Sequence, residues 1–111
     1  MKIERYGIYF ANLDPVIGAE ISKTHPVVVV SDNLMNAYLQ TVVVCPLTIS
    51  VHPGWRSRLQ LVVKGRESEI AVDQIRTIST IRLIRRVSRL TGDEAMKLRM
   101  LISDMYGEPS T

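Results

Sequence analysis

Residues 14–30, DPVIGAEISKTHPVVVV, join two kinds of sequence without a gap. The first half is polar and punctuated by Pro15 and Gly18, and it carries Asp14, Glu20, Lys23, Thr24 and His25. Pro15 and Gly18 favour a turn and a long loop over residues 14 to 24. The second half is Val27-Val28-Val29-Val30. An unbroken run of β-branched residues suits a strand covered on both faces. Pro26 biases the residue before it toward extended geometry, which sets His25 at the joint between loop and strand. A loop of ionisable groups attached to a rigid strand is a common way for folds to present chemistry.

The neighbouring segments extend this pattern in both directions. Gly7 to Leu13 reads as a first strand, with Ile8, Phe10 and Asn12 on one face and Tyr9, Ala11 and Leu13 on the other. After the valines, Asp32 or Ser31 caps a short helical piece through Leu34, Met35 and Tyr38. Thr41 to Pro46 makes a third strand that Pro46 ends, and Leu47 to Ser50 leads into a loop over 51–57 containing His52, Trp55 and Arg56. Leu59, Leu61 and Val63 alternate with Gln60, Val62 and Lys64 in a fourth strand, and Lys64-Gly65-Arg66 turns the chain. Glu69 to Val72 makes a short strand running into Asp73-Gln74-Ile75-Arg76-Thr77-Ile78, and Leu83 to Leu90 makes the last.

Thr91-Gly92-Asp93-Glu94 has the capping-box spacing. Beyond it, Ala95, Leu98, Leu101, Ile102 and Met105 form a helical stripe that Gly107 terminates. Short strands closed by one C-terminal helix point to a small, strongly bent antiparallel barrel or half-barrel.

Composition bounds the function. At 111 residues, 46% of them hydrophobic, the chain has room for one domain, 1–111, with one core. Only Trp55, Phe10 and four tyrosines are aromatic, so that core is aliphatic. The single Cys45 lies in the apolar run Val42-Val43-Val44-Cys45 and reads as a small core residue. It forms no intrachain disulfide, and with two distant histidines it gives no zinc spacing. No signal-peptide pattern or run near 20 apolar residues is present, so the expected address is the cytoplasm, away from membrane.

Net charge is +3, but no Asp or Glu occurs between Asp32 and Glu67, nor between Asp73 and Asp93. The second gap holds Arg76, Arg82, Arg85, Arg86 and Arg89, a field suited to a polyanion or simply the wet face of a strand pair. Trp55 beside Arg56 and Arg58 can stack on a base or plug the barrel mouth.

Several of these pieces resemble one family. Gly7-Ile8-Tyr9-Phe10, Leu13-Asp14-Pro15-Val16-Ile17-Gly18-Ala19-Glu20 and Lys23-Thr24-His25-Pro26-Val27 are similar to the MazF/PemK toxin endoribonucleases. Pro46-Leu47-Thr48, Asp73-Gln74-Ile75-Arg76-Thr77-Ile78, Arg82-Leu83 and Val87-Ser88-Arg89-Leu90 continue the match in order. The resemblance implies a mainly β fold with α, an SH3-like antiparallel barrel with a short helix after the second strand and a C-terminal helix. It implies a homodimer, metal-independent cutting of single-stranded RNA without a cofactor, and an acidic cognate antitoxin. One departure stands out: the family usually carries a catalytic arginine directly before the strand proline, where this chain has His25. A histidine and a second arginine used by some members fall at Ala19 and Ala71 here.

The chemistry then selects candidates. RNA brings its own nucleophile, the 2′-OH, so an enzyme needs a proton carrier and donors for the crowded phosphate. His25 is the candidate proton carrier, since imidazoles ordinarily titrate near neutrality. Thr48 is the candidate phosphate donor, and Asp73 either a base, a contact to a base edge, an ion-pair partner of Arg76 or a residue making a turn bond. Glu20, Lys23, Trp55, Arg56, Gln74 and Arg76 are the candidate RNA contacts, Lys23 and Arg76 as phosphate clamps because both stay charged. His52 reads as an exposed loop residue.

Two competing functions share this sequence pattern. One is an RNA-binding barrel that lost cleavage when arginine became histidine. The other is a gyrase poison of the related CcdB type, which relies on a tryptophan–glycine pair near the chain's end; Tyr106-Gly107 here argues against it.

Overall fold

The structure is a computed structural model that describes residues 1–15, 17–21 and 23–108. Val16 and Ser22 of the expected first loop, and Pro109-Ser110-Thr111, lie outside the described residues. The strands are β1 (Gly7–Asn12), β2 (Thr24–Val29), β3 (Thr41–Thr48), β4 (Arg58–Val63), β5 (Arg66–Ala71), β6 (Arg76–Ser79) and β7 (Leu83–Arg89). Two α-helices, α1 (Asn33–Tyr38) and α2 (Gly92–Tyr106), and two one-turn 3₁₀ helices at Val72–Gln74 and Thr80–Arg82 complete the elements among the described residues. The strands form one curled antiparallel sheet in the order β4-β5-β3-β2-β1-β7, with β6 added on β3. This is the expected bent half-barrel with a short helix after β2 and a helix at the C-terminal end.

The valine run explains itself in this sheet. Val28 and Val30 enter one buried cluster, with Ile8, Cys45, Leu47, Ile70 and the α2 residues Ala95 and Leu98. Val27 and Val29 enter the other, with Tyr9, Ala11, Leu13, Val42, Val44 and Leu83. Both faces of β2 are therefore core, and all four valines are buried. The split of β1 is also as read, Ile8 toward one cluster and Tyr9, Ala11 and Leu13 toward the other. Cys45 is buried, and burial followed by the charge of Asp73 pushes its thiol up to about 12, so it is an inert core residue.

The helix ends follow their local chemistry. Asp32 caps α1, its side chain accepting from the Met35 N–H at 2.8 Å. Thr91 and Glu94 close both halves of the capping box on α2, at 3.2 and 2.8 Å.

Three boundaries differ from expectation, and each bears on the site. β2 begins at Thr24, so His25 lies inside the sheet opposite Ala11, rather than at a loop joint. Pro46 does not end β3; it sits opposite Val27, and the strand runs on to Thr48. Proline is tolerated there because the second edge of β3 changes partner, from β6 up to Val44 to β5 from Leu47, leaving a gap in that ladder. β5 starts at Arg66, three residues earlier than read, because Lys64 and Gly65 make a two-residue hairpin with φ of 50° and 77°. Both turn residues are left-handed, as in a type I′ hairpin.

Candidate active site

The register of β2 on β3 puts Val27 opposite Pro46. Continued by two residues it sets His25 opposite Thr48, and both side chains line one cavity of about 330 Å³. Its walls are apolar, from Phe10, Pro26, Leu47, Ile49, Val63 and Val87. Its polar lining consists of His25, Thr48, Ser68 and two cations from the β4–β5 hairpin, Lys64 and Arg66, with no carboxylate. Apolar walls with a few convergent polar groups are the usual make-up of a ligand site. The Thr48 hydroxyl already accepts from the Ser50 N–H at 3.1 Å, which leaves its own proton free to donate.

A second cavity, about 210 Å³, is lined by Glu20, Ile21, Pro46 and the run Asp73-Gln74-Ile75-Arg76. The sequence block around Asp73 thus meets the first loop. Gln74 holds that loop, its side-chain oxygen accepting from the Ile21 N–H at 2.8 Å. The Glu20 carboxylate accepts from the Ile17 N–H at 2.8 Å. Arg76 reaches the Leu13 carbonyl at 3.5 Å. Arg82 donates to the carbonyls of Asn12 and Asp14, a further tie on the same loop that the sequence reading left out. The end of β3 serves both cavities, Pro46 lining the second and Leu47 and Thr48 the first.

Of the roles open to Asp73, an ion pair forms, but with Arg58 and not with Arg76. Arg58 donates Nε to Asp73 Oδ1 at 2.8 Å and a second nitrogen to Oδ2 at 3.4 Å. Burial raises the affinity of Asp73 for a proton, but hydrogen bonds from Arg58 and Ser57 outweigh it, and the carboxyl is held below its usual range. β4 begins at Arg58 and runs back beside the 3₁₀ turn that carries Asp73, so the two meet without either strand being distorted.

The same guanidinium reaches a fully buried acid that sequence reading missed. Glu69 is 0% exposed and lies on β5 opposite Thr48 and Gln60. It accepts from the His52 N–H at 2.6 Å, the His52 ring Nδ1 at 3.0 Å, Arg58 at 2.6 Å and Gln60 Nε2 at 2.9 Å. Desolvation alone raises its pKa, but these four bonds win and bring it down to about 2. His52 is therefore not a free loop residue; it anchors the β3–β4 loop to Glu69. Trp55 stacks on the His52 ring, centroids 3.9 Å apart, and lies 4.7 Å from the Arg58 guanidinium carbon. One signal was available: Glu69 directly heads the apolar run Ile70-Ala71-Val72.

Of the sequence candidates, the fold gathers His25 with Thr48, and Glu20 with Asp73, Gln74 and Arg76. Lys23, Trp55 and Arg56 line neither cavity. Lys23 is exposed at the end of the first loop, its backbone N–H bound by the Asp14 carboxylate at 2.8 Å. Arg56 is exposed on the β3–β4 loop. Among the described residues no group of three or more His, Cys, Asp or Glu side chains is placed to hold a metal ion, and no helix is long and apolar enough to cross a membrane.

Comparison with known proteins gives the same picture. The chain is 29% identical to endoribonuclease EndoA of Bacillus subtilis, an alignment covering 94% of this chain and 99% of that protein. MazF from Deinococcus radiodurans superimposes with a TM-score of 0.84 at 19% identity, over 97% of this chain and 99% of that one. A mycobacterial endoribonuclease solved in complex with its cognate antitoxin superimposes with a TM-score of 0.81 at 18% identity, over 98% and 99%. The model for the PemK-like, MazF-like toxin of type II toxin–antitoxin systems matches residues 4–106. With this match spanning almost all of the curled sheet and both helices, the chain belongs to the PemK-like, MazF-like toxin family of type II toxin–antitoxin systems.

Proposed function

We propose that this endoribonuclease toxin, one domain over residues 1–111, cuts single-stranded mRNA at the His25–Thr48 cavity by making the RNA attack itself. The observation that carries the proposal is the joining of a titratable ring and a free hydroxyl donor in one cavity that has two cations and no carboxylate. The 2′-oxygen bonds to the adjacent phosphorus and the bond to the 5′-oxygen breaks. His25 takes the 2′-OH proton, and water protonates the departing 5′-oxygen. The products are a 2′,3′-cyclic phosphate and a free 5′-hydroxyl. Thr48 donates to a non-bridging oxygen, where charge accumulates as the phosphorane forms.

Asp73 enters as a fixed, ionised acceptor for a base edge, because Arg58 occupies both of its oxygens and lowers its readiness to take a proton. Gln74 offers its amide N–H₂ to a base while its oxygen holds the loop. Glu20 and Arg76 share that second cavity with them as the reading surface. Lys23, Trp55 and Arg56 are contacts for the flanking strand, with Trp55 restricted by its stack on His52.

Partners follow the same charge logic. A second copy of the chain makes the homodimer, and an acidic antitoxin covers the basic cavity in competition with RNA. The mycobacterial neighbour, solved in complex with its cognate antitoxin, supports an antitoxin as partner. A cytoplasmic location fits an mRNA substrate.

Incubation with a mixed RNA pool in EDTA tests the chemistry. A cyclic-phosphate 3′ end is expected; a linear 3′-phosphate formed directly, or a requirement for added metal, would overturn it. Thr48→Val keeps the shape of the strand end and removes the donor. It should fold normally and cut about 100-fold more slowly, the size of effect seen when one transition-state donor is lost.

A further inference from the structure

We infer that the β4–β5 hairpin is an RNA-phosphate clamp, with Lys64 and Arg66 holding backbone phosphates on either side of a nucleobase seated in the His25–Thr48 cavity. The inference rests on the endoribonuclease reading and gives the two cavity cations, Lys64 and Arg66, a specific role that the sequence motifs did not assign.

Three observations support it. Both cations line the same cavity as His25 and Thr48, and neither forms an ion pair among the described residues. The apolar lining of that cavity, which includes Phe10, Leu47 and Val63, suits the face of a base rather than a phosphate. The third is conformational. Lys64 occupies the first turn position of a type I′ hairpin at φ 50°, followed by Gly65 at φ 77°. That position favours asparagine, aspartate or glycine, and a lysine there is strained. The turn geometry therefore does not account for a lysine here, whereas an ammonium lining the cavity has a use in binding phosphate. The hairpin also fixes the backbone that carries both cations, because Arg66 is paired directly with Val63 across the turn.

Lys64→Asn therefore separates structure from binding. It relieves the turn, so the Tm should equal or exceed that of the unsubstituted protein while RNA affinity falls. The probe is a pool of mixed-sequence, fully 2′-O-methylated single-stranded RNA, which has no free 2′-OH and stays intact. Binding is followed by fluorescence anisotropy over a salt series.

The Lys64→Asn/Arg66→Gln protein should bind at least about 10-fold more weakly. Its slope of log K against log salt should be shallower by about 1.4, at roughly 0.7 for each lost phosphate contact. A Lys97→Gln/Arg99→Gln protein removes the same charge from the exposed side of α2 and should change affinity less than about 2-fold. An unchanged slope, or an equal loss in the α2 control, overturns the inference. Cleavage of ordinary RNA by the unsubstituted protein is read separately. Cleavage with an unchanged slope sinks only the clamp, binding with the predicted slope but no cleavage sinks only the chemistry, and no RNA binding at all sinks both.

Discussion

His25→Ala lowers the rate of RNA cleavage by at least about 100-fold, with folding and RNA affinity little changed. General acid–base assistance by a positioned side chain contributes roughly 10²–10⁴-fold, so loss of the only titratable ring in the cavity removes at least the lower end of that range. The position tolerates alanine structurally. His25 is half-buried in β2 opposite Ala11, and its backbone pairing does not need the ring. The effect should fall on kcat, since the cations and apolar walls that bind RNA remain.

His25→Arg gives the sharper comparison, because it installs the residue the family usually carries before the strand proline. Guanidinium stays protonated throughout the working range, so it can stabilise the phosphorane but cannot exchange a proton near neutrality. If His25 carries the proton, the unsubstituted protein has a pH-dependent rate and the His25→Arg protein loses that dependence, whatever its absolute rate. Unchanged turnover in His25→Ala would remove the ring from the mechanism. A pH profile identical in all three proteins would remove proton transfer from its role.

What the chain displays openly is its core. Four valines in a row require cover on both faces, and β2 has it; the capping box at Thr91 and Glu94 and the buried Cys45 are equally local signals. Strand ends were less legible where a residue's usual meaning is overridden by its neighbours. Pro46 ordinarily stops a ladder, but here the second edge of β3 changes partner at that point, so the missing N–H costs nothing and Thr48 stays in the sheet. Candidate residues from different parts of the chain meet because antiparallel register carries them together, as with His25 and Thr48. Register is a property of strand pairs, and periodicity along one strand does not contain it. The Glu69 cluster was hidden for the same reason. His52, Arg58, Gln60, Glu69 and Asp73 each look like ordinary polar residues until β4 and β5 pair and the β3–β4 loop folds onto them.

Glu69→Gln should destabilise the fold by about 3 kcal/mol, measured by urea denaturation at pH 7. Removing one partner of a buried ion pair costs roughly 3–5 kcal/mol, because the remaining charge is left without compensation. The Arg58 side chain is 6% exposed and loses its 2.6 Å carboxylate partner, while the 2.8 Å bond to Asp73 keeps the cost at the lower end. The same carboxylate also makes stability acid-sensitive. Its folded pKa is about 2 against an ordinary 4.5, so the unfolded chain binds the proton at higher pH than the native one. The stabilisation is therefore fully present above about pH 4.5 and drains away as pH falls toward 2. Glu69→Gln should flatten stability against pH across that window.

Because Glu69 holds the β3–β4 loop through His52 and faces Thr48 across the sheet, the substitution should also slow cleavage. A second substitution distinguishes pairing from packing. Glu69→Leu combined with Arg58→Leu removes both charges and should recover part of the loss suffered by Glu69→Leu alone, since no buried charge is left unpaired. Stability within 0.5 kcal/mol for Glu69→Gln, or a double variant no better than the single one, would mean that the cluster is held together by shape and not by charge.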